Sequence, residues 1–189
     1  EKKFKKICDK LIYIDDFQKR KSISDYIINP SPIAKKENYN KRTVDKKTKL
    51  LIGKKFNFLE FPYVNNHKIK YIKKKRVRIF VYLGTKNRLK LIKAIFKGVD
   101  KKKIKEIIIV NQKFKKKELN IPTRFLKNLK KKVFLSTMNR SDILILSSGI
   151  VINEASNLKK KIFLTKISSN QKKNYKFFIK KSFVSDVKE

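Results

Sequence analysis

The sequence predicts an α/β fold built on a parallel, doubly wound sheet, and three observations carry that prediction. Short strands such as 106–110 (Glu-Ile-Ile-Ile-Val) and 142–147 (Asp-Ile-Leu-Ile-Leu-Ser) are apolar on both sides, as strands buried between two helical layers must be. Between strands lie segments with helical spacing of apolar residues, above all Leu89, Leu91, Ile92, Ile95 and Phe96. A small-residue turn, Ser147-Ser148-Gly149, stands where a strand gives way to a helix, the place where such sheets bind ligands.

The elements follow in order. Residues 10–14 read as a buried strand that delivers Asp15-Asp16 at its C-terminal end, and 25–29 as a second strand closed by Pro30 and Pro32. Residues 33–49 are polar and Lys-rich and read as a loop, and 54–59 as a short helical piece after Leu50-Leu51-Ile52-Gly53. A linker is expected at 66–76. It divides a first part, 1–65, from a second, 77–189. In the second part strands are expected at 77–83, 106–110, 132–135, 142–147 and 161–165. Helices are expected at 87–97, 123–131, from Gly149 to about Leu158, and over 170–181.

The formal net charge is +38, which on its face suggests a nucleic-acid binder. Only seven of the 53 basic residues are Arg, however, and base readers and phosphate clamps favour the planar Arg fork. The excess of Lys comes with abundant Ile, Asn and Phe, all encoded by AT-rich codons, so codon bias accounts for the charge without a polyanion partner. A basic RNA-binding protein stays as an alternative. It requires Lys and aromatic residues gathered on one face.

Cys8 and His67 are the single residues of their kinds. A disulfide framework, a thiolate metal site and a His-based triad within this chain are thereby excluded. No cofactor and no metal is expected. Cys8 is expected to be buried packing, and His67 a surface residue in the linker. No apolar run reaches the roughly 20 residues that cross a bilayer. The basic start also lacks an apolar signal region, so a cytoplasmic location is expected, with no membrane partner. The first residue is Glu1 rather than Met, which suggests a fragment or a processed chain.

Candidate site residues collect at the expected C-terminal strand ends. The Ser148-Gly149 turn lets a ligand approach the backbone. Glu154 offers two acceptor oxygens that match the vicinal hydroxyls of a ribose. Asn170-Gln171 offers two amides to sugar or phosphate, although a helix cap is the plainer role for Asn170. Asp15-Asp16 and Asp142 are expected to bond nearby loops and turns, in preference to holding a metal or exchanging protons.

Taken together these motifs resemble the UDP-2,4-diacetamido-2,4,6-trideoxy-beta-L-altropyranose hydrolases of pseudaminic acid synthesis. The resemblance runs through Ile14-Asp15-Asp16, Arg20, Asp25 to Asn29, Leu50-Leu51-Ile52-Gly53 to Leu59, and Val81 to Gly84. It continues through Asp142 to Leu146, Gly149, Glu154 and Asn170-Gln171. It implies two Rossmann-like domains of the glycosyltransferase-B type, with the N-terminal one incomplete. It implies a UDP-sugar as substrate, with substrate-binding residues Gly84, Ser148, Gly149, Glu154, Asn170 and Gln171. It implies release of UDP by water attack at the anomeric carbon. The family's catalytic His sits in a Gly-rich loop expected before residue 1, so no catalytic residue is assigned here and the activity of this chain alone is left open. A UDP-sugar glycosyltransferase of the same plan is the nearest alternative. The sequence departs from the family at Leu83-Gly84-Thr85-Lys86, Gly149-Ile150-Val151 and Lys159-Lys160-Lys161.

Overall fold

The structure is a computed structural model that describes residues 1–15, 21–40, 45–56, 75–112, 119–158 and 160–187. Asp16, Arg20, His67 and most of the expected linker lie outside the described residues. The chain divides into two compact units, 1–61 and 62–189.

The first unit holds three parallel strands, β1 (Ile12–Ile14), β2 (Tyr26–Asn29) and β3 (Lys49–Ile52), in the order β1-β2-β3. β3 is absent from the sequence expectation. It has four residues, and Gly53 ends it at φ +102, a conformation that favours glycine. The described part of the expected helical piece is a 3₁₀ turn at Lys54–Phe56, and 57–59 lie outside the described residues; a one-turn helix, α2 (Glu37–Asn40), interrupts the expected loop.

Tyr39 of α2 is buried, and the Asn29 amide donates to its hydroxyl at 2.7 Å. Asp15, also buried, bonds the same hydroxyl. Burial first, and Asp15 second, push the Tyr39 phenol well above its ordinary range, although the Asn29 bond pulls the other way. Asp15 therefore has the structural role expected of it, but toward a phenol. Cys8 corrects its expectation: it is exposed, its thiol donating to the Phe4 carbonyl at 2.9 Å. The preceding helix, α1 (Lys2–Lys5), is one turn long and buries none of its residues, so it offers no core for the thiol to join.

Lys5 of α1 lies 3.8 Å from Asp25 and 3.4 Å from Asp45. Both carboxyls are held below the usual carboxylate value of 3.8. The main cause is a backbone N–H, from Leu11 for Asp25 and from Lys47 for Asp45, with Lys5 assisting. A depressed carboxyl contributes stability that is present above the unfolded pKa and lost as pH falls through the folded one. The first unit should therefore melt at progressively lower temperature as pH drops below about 3.8. Melting followed by circular dichroism should show a weaker acid dependence for Asp25→Asn with Asp45→Asn than for the parent.

The second unit is a six-stranded parallel sheet. Its strands are β4 (Val77–Tyr82), β5 (Ile104–Val110), β6 (Thr123–Leu126), β7 (Ile143–Ser147), β8 (Lys161–Thr165) and β9 (Val184–Asp186). Their order is β6-β5-β4-β7-β8-β9. Helix α3 (Leu89–Phe96) packs Ile92 and Phe96 with Ile79, Val81, Ile107 and Ile109 on one face. Helices α4 (Lys131–Asn139), α5 (Val151–Ala155) and α6 (Lys172–Phe178) bury Leu135, Met138, Ile152, Ala155 and Phe178 with Phe80, Ile108 and Leu144 on the other. Both faces are covered, which explains the two-sided apolar strands.

Two expectations are reversed here. Residues 123–126, expected in a helix, form β6, whose backbone pairs with β5 through Ile107↔Thr123 to Val110↔Leu126. Residues 132–135, expected as a strand, lie inside α4. Phe134, Leu135 and Met138 sit at spacings of one, three and four, which put them on one helical face against the sheet. The run Val-Phe-Leu looks like a strand, yet Val133 is 48% exposed. Helix α5 also stops at Ala155, with only hydrogen-bonded turns continuing to Leu158, and β9 has no counterpart in the sequence reading. Asp142, expected to orient its turn, instead accepts the backbone N–H of Arg78 at 2.9 Å and so ties the start of β7 to β4.

Candidate functional site

The strand order reverses between β4 and β7: the chain steps outward through β5 and β6 on one side, and through β8 and β9 on the other. In doubly wound sheets the crevice beyond the strand ends at this reversal is the binding position. β4 runs into Leu83-Gly84, and Gly84 has φ +80, where a side chain would be strained. β7 runs into Ser148-Gly149. Gly149 is different: its backbone carries no positive φ, and a Cβ there would meet Gln171 Nε2 at 3.6 Å and Ser147 Oγ at 3.9 Å, ordinary contact distances.

Gln171 closes this group. Its Oε1 accepts the Ile167 N–H at 3.2 Å, which fixes the amide orientation and leaves Nε2 beside Gly149. The Ser148 hydroxyl lies 3.3 Å from both Gln171 Oε1 and the Thr165 carbonyl, and can donate to one at a time. A Cβ on Gly84 would lie 3.6 Å from Ile167. Gly84, Ser148, Gly149 and Gln171, distant in sequence, thus meet around the loop that follows β8.

Asn170 and Glu154 fare differently. Asn170 is exposed in the 3₁₀ turn Ser169–Gln171 and accepts from Ser168 Oγ; it does not cap α6, which starts at Lys172 without a side-chain cap. Glu154 lies on α5, its side chain 18% exposed, with Oε1 3.8 Å from Lys131 Nζ of α4. It reaches a ligand only if that ligand extends over the α4–α5 side.

A cleft of about 920 Å³ opens next to this group, lined by Asn87, Arg88, Leu89 and Lys90 at the start of α3 and by Lys166 and Ile167 after β8. Arg88 was not among the expected site residues. Its Nη2 donates to the Ile167 carbonyl at 3.4 Å, and its Nε is buried without a hydrogen-bond partner among the described residues. The nearest sequence signal is Arg itself, rare in this chain and placed just after the Gly84 turn. The start of a helix and three cations, Arg88, Lys90 and Lys166, together favour an anion here. Among the described residues no group of three or more His, Cys, Asp or Glu could hold a metal, and no helix is long and apolar enough to cross a membrane.

Among the described residues of the second unit the exposed lysines are not gathered on one face. Lys90, Lys93 and Lys97 lie on or just after α3, against one face of the sheet, and Lys131, Lys132, Lys172, Lys173 and Lys176 lie on α4 and α6 against the other.

The fold and this crevice define an α/β protein built on parallel sheets. No protein family and no curated protein matches the sequence. Among solved structures the chain is similar to one described as the glycotransferase of kitacinnamycin, at TM-score 0.52 and 12% identity, over 86% of this chain and 42% of that one. The chain therefore spans less than half the length of that neighbour, and at this identity the likeness is one of fold.

Proposed function

We propose that the second unit binds a UDP-sugar in this crevice and that the protein hydrolyses it, releasing UDP from a diacetamido-trideoxy sugar. The observation that supports this most is the meeting of Gly84, Ser148-Gly149 and Gln171 at the strand-order reversal, beside a cleft with Arg88 and Lys166. In this reading Arg88, Lys166 and the Gly149 turn hold the diphosphate, Gln171 donates to phosphate or sugar, and Glu154 exchanges its Lys131 contact for the ribose hydroxyls. The bond from C1 to the diphosphate oxygen breaks with its electron pair going to UDP. Water forms the new bond to C1 and gives its proton to solvent. Cations aimed at the leaving diphosphate stabilise the charge that develops there. The first unit and the 66–76 segment are read as part of a partner Rossmann-like domain and its linker.

The glycosyltransferase-like fold favours a second reading, in which an acceptor hydroxyl takes the place of water. The basic RNA-binding alternative is disfavoured by lysines on both faces of the sheet.

Calorimetric titration of UDP at physiological salt tests the common core of both enzyme readings. Saturable binding is expected, with Glu154→Ala weakening it roughly tenfold or more, since a charge-assisted ribose contact contributes about 1.5–3 kcal/mol. No UDP binding together with tight, strongly salt-dependent RNA binding would overturn the proposal. Incubation with the UDP-sugar, with and without candidate acceptors, then separates hydrolysis from transfer.

A further inference from the structure

The loop that carries Arg88 is held in place by one side chain from the segment that follows β5. Chain direction changes at Asn111, immediately after β5, where φ is 60; Asn is among the few residues that adopt this left-handed conformation readily. The next residue, Gln112, is 2% exposed. Its Nε2 donates to the carbonyls of Gly84 and Lys86, both at 2.9 Å, and its Oε1 accepts the backbone N–H of Arg88 at 2.8 Å. One amide therefore holds the first, third and fifth residues of the 84–88 loop. The pattern also fixes the amide orientation, because two acceptors face the NH₂ group and one donor faces the oxygen.

We propose that Gln112 is a positioning residue for a phosphate-bearing ligand in the cleft, acting through Arg88. The inference rests on the UDP-sugar reading of that cleft. Two effects follow from the geometry. The Gly84 and Lys86 carbonyls are drawn onto the Gln112 amide, so their partial negative charge is not presented to an anion. The Arg88 backbone is pinned at the start of α3, which sets where its guanidinium enters the cleft and spares the ligand the ordering of a loop. Gln112 is not among the residues lining the cleft, so it acts on the ligand only through the loop.

A double-mutant cycle separates this from a structural role. UDP and inorganic pyrophosphate are titrated into the parent chain, Gln112→Leu, Arg88→Ala and the double variant. Gln112→Leu is expected to weaken both ligands about tenfold, and to weaken them less than twofold when Arg88 is already Ala. An equal loss in both backgrounds, or no loss in either, overturns the inference. Pyrophosphate binding without UDP binding removes the nucleotide reading and leaves the Gln112 role supported if the cycle is coupled. Should Gln112→Leu fail to fold, hydrogen exchange on the parent chain decides: the Arg88 amide is expected to be protected without ligand, and rapid exchange there overturns the latch.

Discussion

Replacing Arg88 by Ala should weaken UDP binding by roughly tenfold to a hundredfold and leave the melting temperature of the chain unchanged or slightly raised. The first half follows from chemistry. A hydrogen bond to a charged group contributes about 1.5–3 kcal/mol, and each 1.4 kcal/mol is a factor of ten in affinity. The second half follows from what Arg88 does in the absence of ligand. Among the described residues its side chain bonds only the Ile167 carbonyl, at a long 3.4 Å, and its Nε is buried without a partner. A buried donor left unsatisfied costs about 1–3 kcal/mol, so removing it relieves the fold. Arg88 is therefore poor as a stabilising residue and suited to a ligand with oxygen acceptors. Arg88→Lys is a useful companion, because it keeps the charge and loses the planar fork. If Arg88→Ala instead lowers the melting temperature by many degrees and leaves UDP affinity intact, the guanidinium is structural and the anion sits elsewhere.

The parallel sheet of the second unit was legible in the sequence because its strands are buried on both faces. Residues 161–165 were located to the residue, and 77–83, 106–110 and 142–147 within two positions. Edge elements were less legible. β6 has one neighbour and carries Arg124 between intermediate residues, so tertiary pairing and not its own pattern makes it a strand. α4 was misread because Val133-Phe134-Leu135 gives no period by itself; Met138 supplies it. The site divides in the same way. Gly84, Ser148, Gly149 and Gln171 could be singled out as candidates because strand ends and small turns are sequence signals. Gln112 and Arg88 were not, because their roles depend on which strands become neighbours. Asn170 illustrates the converse: its sequence position suggested a cap, and the 3₁₀ turn at Ser169–Gln171 leaves it exposed.

Phe80→Ala should be among the most damaging single changes in the second unit, and its severity should depend on salt. Phe80 is fully buried at the centre of β4, beside Ile108 of β5 and Leu144 of β7, and its ring meets Phe134 of α4 edge-on at 5.3 Å. Truncating such a ring removes transfer free energy and leaves a cavity, together about 3–5 kcal/mol, or roughly 10–20 °C in melting temperature for a unit of this size. Domains of this kind are stable by only about 5–15 kcal/mol. This chain also carries a net charge of +38, and self-repulsion at such charge destabilises the compact state. Salt shortens the range of that repulsion from about 10 Å at 0.1 M to about 3 Å at 1 M. Melting temperatures of parent and variant should therefore both rise between roughly 0.05 and 1 M sodium chloride. Phe80→Ala should be largely unfolded at the low end and recover structure at the high end. Val133→Ala, at a half-exposed position of α4, is the control and should differ little from the parent throughout. A flat salt response in both proteins would show that the lysine charge is already compensated in the folded chain; a Phe80→Ala protein that melts with the parent would show that the sheet is not packed around β4 as described.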